Sequence, residues 1–207
     1  GATLAAIASG SLDVAFWLVA AGAAFDFSDG LAARLLGQYS PLGKQLDSLA
    51  DMVTFGVAPS AIVYNMMIRS FHGSWLPLAA FIIAAFSALR LARFNIDENQ
   101  SDAFTGLPTP ANALFFASLG WMFAKGDIRP DIYMLLGATV VMSALLVCPI
   151  RMFSLKFHSL ALRGNTLRFI FLAAAAIALA IFRIPAIPAI IGLYIIVSVI
   201  ARAFERE

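Results

Sequence analysis

Apolar runs of membrane-spanning length follow one another from Leu12 to Phe204, interrupted by short Gly, Pro and Ser turns and by two polar stretches, Asp97–Thr105 and Arg151–Arg168. A hydrocarbon core about 30 Å thick takes roughly 20 residues of helix to cross. Within lipid every backbone polar group must be satisfied by the protein itself, and continuous apolar runs of this length do so as helices. With 61% hydrophobic and 13% charged residues, the chain has too little charge to coat one buried core. An all-α integral membrane protein follows, and a soluble enzyme is excluded. Cys148 is the only cysteine and sits in an apolar run, which rules out a disulfide scaffold and a thiol metal site. A formal net charge of +2 gives no signal for nucleic acid.

Local signals divide the apolar sequence into helices. Ala2–Ser9 is apolar but too short to span and reads as the end of a truncated first helix. A second helix is expected from Leu12 to Leu36, stopped by Gly37, and a third from Pro41 to Arg69, started by a Ser40 cap and Pro41 in the first turn. Further helices are expected over Trp75–Asn95, Pro108–Ala124, Asp131–Pro149, Thr166–Phe182 and Ile187–Phe204. On the side of the Gly37 turn lie Arg34, Lys44, Arg90, Arg93, Arg151, Lys156, Arg163, Arg168, Arg202 and Arg206, against Arg69, Lys125, Arg129 and Arg183 on the other. Ten against four orients the first side to the cytosol. Met152–Ser159 alternates aromatic or aliphatic with basic residues and suits either an interfacial stretch or a solvated loop.

Four carboxylates interrupt this pattern. Asp26 and Asp29 fall in the second helix and Asp47 and Asp51 in the third, where a charge is costly unless paired or metal-bound. At 100° per residue, Asp26, Asp29, Gly30 and Ala33 share one face, and Gly43, Asp47, Ala50 and Asp51 share another. In an antiparallel hairpin turning near residues 38–39, Asp26 meets Asp51 in depth and Asp29 meets Asp47, so the four converge. They exceed what Arg34 and Lys44 can neutralise, which argues against plain helix-to-helix salt bridges. All-oxygen ligands with no His or Cys nearby favour Mg²⁺ or Mn²⁺, and room for two ions about 3.5–4 Å apart implies phosphoryl chemistry. Small residues beside the acids admit a bulky ligand, and Arg34 can meet its phosphate oxygens. An ion-coupled transporter is the alternative from another class, although neither an inverted repeat nor a broken midplane helix is visible. Gly22 and Gly56 read as close-packing residues.

The pattern Asp26-x-x-Asp29-Gly30-x-x-Ala33-Arg34, eight residues, Gly43-x-x-x-Asp47-x-x-x-Asp51 resembles the signature of the CDP-alcohol phosphotransferase family at every defined position. That resemblance implies a six-helix membrane core, here residues 1–149 with the first helix truncated. A basic connection and two additional C-terminal transmembrane helices then occupy residues 150–207. It further implies a homodimer, two divalent ions held by Asp26, Asp29 and Asp47 with help from Asp51, and Asp51 as the base. The CDP-lipid site would then use Gly30, Ala33, Arg34, Gly43 and Lys44.

The strings LDSLADMVTFGVAP (Leu46–Pro59), ALRLARFN (Ala88–Asn95) and FTGLPTPANA (Phe104–Ala113) resemble the bacterial branch that hands a phosphatidyl group from CDP-diacylglycerol to L-serine. This implies phospholipid synthesis at the bacterial cytoplasmic membrane, from a site facing the cytosol. Glycerol 3-phosphate and inositol phosphate are the alternative acceptors. Arg90, Arg93, Asn95, Thr109 and Asn112 are the candidates to receive the acceptor. Arg90 and Arg93 are equally readable as positive-inside anchors, and Thr109 and Asn112 as helix caps or bridges.

Overall fold

The computed structural model describes residues 1, 11–37, 40–70, 75–96, 106–150, 152 and 166–204, without the side chains of 33, 34, 167 and 201–204. Helix α1 (Leu12–Leu36) ends where Gly37 takes a φ of 62°, a left-handed conformation that glycine adopts without penalty. Helix α2 (Pro41–Asp51) starts at Ser40, whose Oγ accepts a hydrogen bond from the Gly43 N–H at 2.9 Å. The cap removes one of the unsatisfied amides of a helix start, and Pro41 lacks an amide that would need a partner.

The expected helix over Pro41–Arg69 runs on to Ser70, but its winding changes. After α2 comes a π-helical stretch, Met52–Val57, and then α3 (Ala58–Ser70). Such wide turns are rare inside helices and concentrate at functional sites. This one lies in a tight part of the bundle. A Cβ on Gly22 of α1 would come 2.6 Å from Thr54 Cγ2, and one on Gly56 would come 3.1 Å from Ser87 Cβ. Both glycines therefore serve close packing, as their place in the sequence predicts.

The next helix also opens differently from its expected form, as a 3-10 turn over Leu76–Phe81 that leads into α4 (Ile82–Ile96). The buried Ser60 hydroxyl links the two hairpin arms here. It donates to Gly56 O at 2.8 Å and accepts from the Ala84 N–H at 3.1 Å. Helices α5 (Thr109–Lys125), α6 (Ile132–Val147), α7 (Thr166–Phe182) and α8 (Ala186–Phe204) lie close to their expected bounds. The truncated first helix expected at Ala2–Ser9, the polar stretch Asp97–Thr105 and, apart from Met152, the segment Met152–Ser159 lie outside the described residues.

Among the described residues, the helical runs Leu12–Ala32, Pro41–Ser70 and Leu76–Ile96 are long and apolar enough to cross a membrane, and α6, α7 and α8 contribute shorter apolar stretches. Large side chains such as Phe25, Phe27, Leu42 and Leu46 face outward, as lipid allows, while Phe55, Ile62, Met66, Ile83, Phe116 and Leu146 are fully buried. Helix α5 packs against α1, α3 and α8, and α4 against α6 and the π turn. The start of α5 is anchored by Gly106, whose φ of 78° and close approach to the Leu146 carbonyl leave no room for a side chain. Gly106 N–H donates to Ile150 O at 2.9 Å and Leu107 N–H to Leu145 O at 2.8 Å. These bonds dock the N-terminus of α5 on the end of α6 and so fix where Thr109 and Asn112 sit.

Candidate active site

Helix α1 meets the π turn and α3, whereas α2 buries none of its residues. The hairpin is therefore closed at the π turn and open towards its connection. Asp26, Asp47 and Asp51 stand in the opening, each offering a carboxylate oxygen within 4.8 Å of the others. Asp26 and Asp51 are half-buried and lie within hydrogen-bonding reach of each other, and Asp47 is exposed. Asp29 stands outside this trio, exposed, yet its charge still acts on all three. The sequence predicts four convergent carboxylates, and the structure gathers three with the fourth flanking. The difference follows from the hairpin: Asp29 lies one turn nearer the open connection, where the helices have moved apart.

The trio matches what a hard divalent cation requires. With metal–oxygen distances of about 2.1–2.5 Å, ligands on opposite sides of such an ion are roughly 4–5 Å apart. The observed spread of the three oxygens fits within one coordination sphere. Asp51 is the last residue before the π turn, whose Phe55 and Gly56 are buried, so the backbone carrying it is held by the core.

Beside the acids, no atom lies within 4 Å of a Cβ built on Gly30, and the nearest neighbour of one on Gly43 is that helix's own cap, Ser40 Oγ, at 2.9 Å. Both glycines thus border open space, unlike Gly22 and Gly56. Lys44 Nζ donates to Asn95 O at 3.2 Å, which joins α2 to the end of α4. The side chains of Ala33 and Arg34 lie outside the described residues.

The five residues expected at the acceptor do not form one group. Arg90, half-buried on α4, donates through Nη1 to Thr109 Oγ1 at 3.5 Å, lies within electrostatic reach of Asp51, and has no partner for its Nε. Thr109 and Asn112 are buried on α5, and neither polar atom of Asn112 has a hydrogen-bond partner. An unpaired buried amide costs about 1–3 kcal/mol, so this one stands out. Arg93 is exposed and donates to Val147 O at 3.3 Å, bracing α4 against α6. Asn95 Nδ2 donates to Ser48 Oγ at 2.9 Å and approaches Gln45 Oε1 at 3.4 Å. Gln45 and Ser48 escape sequence reasoning because polar residues on a partly acidic helix look like ordinary surface. Only the depth of Asn95 at the end of α4 hints at the contact.

Residues 2–150 match the family model described as CDP-alcohol phosphatidyltransferase. The chain belongs to the CDP-alcohol phosphatidyltransferase family. It is also similar to the CDP-diacylglycerol–serine O-phosphatidyltransferase of Helicobacter pylori (strain J99), at 35% identity over 92% of this chain and 80% of that protein. A protein of the same name from Mycobacterium tuberculosis is 32% identical over 90% of this chain and 64% of its own length. One from Bacillus subtilis is 37% identical over 49% and 57%. The last two are thus matched over less than two thirds of their length. Family membership leaves the transporter reading of the intramembrane acids without support.

Proposed function

We propose that the chain transfers the phosphatidyl group of CDP-diacylglycerol to the hydroxyl of L-serine, releasing CMP, at a cytosol-facing site in the bacterial cytoplasmic membrane. The observation that carries this reading is the carboxylate trio of Asp26, Asp47 and Asp51 with Arg90 within electrostatic reach of Asp51. The names of the relatives support serine as the acceptor.

In this reading Asp26, Asp29 and Asp47, with Asp51, hold two divalent ions, Mg²⁺ or Mn²⁺. Ions bound there would neutralise pyrophosphate oxygens and sharpen the electrophilic phosphorus. The open space at Gly30 and Gly43 receives the cytidine end, with Ala33 beside it and Arg34 and Lys44 towards the phosphates. Arg90 takes the carboxylate of serine, since guanidinium offers two parallel donors to a planar acid. The unpaired carboxamide of Asn112 supplies both a donor and an acceptor nearby on α5. Arg93 and Asn95, which brace α4 against α6 and α2, hold Arg90 in place. The serine oxygen then bonds to the phosphorus bearing diacylglycerol as the bond from that phosphorus to the bridging oxygen breaks. CMP leaves with that oxygen, and Asp51 accepts the serine hydroxyl proton. Ten basic residues against four support the cytosolic orientation. A homodimer belongs to the same reading and rests on the family resemblance.

The test is a CMP-release assay on the purified protein in detergent micelles of CDP-diacylglycerol, with L-serine, glycerol 3-phosphate and inositol phosphate offered in parallel. Release with serine alone is expected. Turnover of glycerol 3-phosphate with serine ignored would overturn the acceptor and leave the family standing.

A further inference from the structure

Helix α2 carries two of the three gathered carboxylates, Asp47 and Asp51, yet none of its residues is buried. Leu42, Leu46 and Leu49 face outward, and its main packing, among the described residues, is against the π turn that continues it. Lipid is as apolar as a helix face, so docking such a helix on the bundle depends on polar bonds. Those bonds converge on one residue at the end of α4. Asn95 Nδ2 donates to Ser48 Oγ at 2.9 Å and approaches Gln45 Oε1 at 3.4 Å, while the Asn95 main-chain oxygen accepts from Lys44 Nζ at 3.2 Å. That oxygen lies in the last turn of α4, where carbonyls lack an intrahelical donor and the helix dipole favours a cation. Asn95 Oδ1 has no partner, so the bonds of the side chain all run to α2.

At 100° per residue, Ser48 lies about 60° around α2 from Asp51 and about 100° from Asp47. One flank of the helix thus brings its acids to Asp26 of α1, and the other brings Lys44, Gln45 and Ser48 to Asn95. Rotating α2 by about 20° would carry a side-chain tip, roughly 5–6 Å from the axis, through about 2 Å. A Mg²⁺ ligand at about 2.0–2.1 Å tolerates only tenths of an ångström. We infer that Asn95 is a positioning residue for the carboxylates: by holding Lys44, Gln45 and Ser48 it fixes the rotation of α2, and so sets how tightly Asp47 and Asp51 hold a divalent cation. This rests on the reading above in which the carboxylates bind metal, and on no particular acceptor.

The test titrates Mn²⁺ into the full-length protein in detergent micelles and reads the free ion by electron paramagnetic resonance, with CMP release followed over the same series. The parent is compared with Asn95→Leu, Ser48→Ala, the double variant and Ile96→Ala, a change at an exposed neighbour on α4. In Asn95→Leu the Ser48 hydroxyl keeps its bond to Lys44 O at 3.1 Å, and Ser48→Ala provides the test by itself should Asn95→Leu not fold. One hydrogen bond between membrane helices corresponds to roughly a 3- to 10-fold change in an equilibrium. Each single variant is expected to raise the Mn²⁺ Kd by about that factor, and the double variant no further than Asn95→Leu, since both changes remove the same bond. Saturating Mn²⁺ should return kcat to within about twofold of the parent, and Ile96→Ala should leave the Kd unchanged. An unchanged Kd in Ser48→Ala or in folded Asn95→Leu overturns the inference. So do effects that add in the double variant, or a loss of kcat that persists at saturating Mn²⁺, which would mark a merely structural residue. Failure of the parent to bind Mn²⁺, or binding that Asp47→Asn leaves unchanged, would instead overturn the metal reading on which the inference rests.

Discussion

Replacing Asp51 by Asn removes one charge at nearly constant volume, and so asks what that charge does. The structure limits the collateral effects. Asp51 is half-buried at the end of α2, and the buried Phe55 and Gly56 hold the π turn that follows, so the backbone keeps its place. Two losses are then possible. As a base, Asp51 would take the proton of the attacking hydroxyl, and a positioned base contributes about 10²- to 10⁴-fold, or roughly 3–5 kcal/mol in the barrier. As a metal ligand, it supplies one of the three oxygens that lie within 4.8 Å of one another, and an amide oxygen is a weaker donor than a carboxylate. The two losses respond differently to added cation. A ligand defect is repaired by mass action as Mg²⁺ is raised, whereas a missing base is not. The expected outcome is a fall in kcat of at least about 10²-fold that persists at saturating Mg²⁺. In Asp47→Asn, by contrast, high Mg²⁺ should restore much of the activity. The assay is CMP release at fixed CDP-diacylglycerol and serine over a Mg²⁺ series. Recovery of Asp51→Asn to near-parental turnover at high Mg²⁺ would refute the base and leave Asp51 a ligand only.

Chelation with excess EDTA should abolish CMP release, and Mg²⁺ or Mn²⁺ should restore it; full turnover with metal verified absent would refute the role of the acidic cluster. Gly30→Leu should raise the KM for CDP-diacylglycerol in a folded protein, because its side chain enters open space, whereas Gly22→Leu meets Thr54 and should lower the melting temperature, by a loss of about 1–3 kcal/mol. Equal thermal stability of the two variants would refute that contrast. Arg90→Lys removes a fork that lysine cannot reproduce and should raise the serine KM roughly 10-fold, more than the KM for CDP-diacylglycerol and more than Arg93→Lys does, since Arg93 spends its donor on Val147 O.

The helices were legible where their ends carry chemistry. Gly37, Ser40 and Pro41 mark one turn because a left-handed residue, a side-chain acceptor and a missing amide are each needed at that point. Periodicity also places Asp26 with Asp51 and Asp47 with both, since a rigid helix propagates angular position along its length. It does not reveal how two helices diverge, and for that reason Asp29 flanks a group it was expected to join. The π turn after Asp51 was equally hidden. It lies where Gly22 approaches Thr54 and Gly56 approaches Ser87, contacts between elements that a single helix face does not encode.

The acceptor side shows the same limit more sharply. Arg90, Arg93 and Asn95 fall within six residues of one another and look equivalent in sequence, yet they meet three different partners: Thr109 on α5, Val147 on α6, and Ser48 on α2. What separates them is rotation about α4. Arg90 turns inward to the acids, and the other two turn to neighbouring helices that fix the rotation. A binding arginine on a membrane helix needs such bracing, because a long side chain in an apolar bundle is drawn to whichever counter-charge lies nearest, here Asp51. The contacts of Arg93 with Val147 and of Asn95 with Ser48 tie α4 to α6 and α2 and so hold the helix that carries Arg90. In the serine-transfer reading proposed above, acceptor recognition would thus rest on Arg90 of α4 with Thr109 of α5, outside the hairpin that supplies the carboxylates.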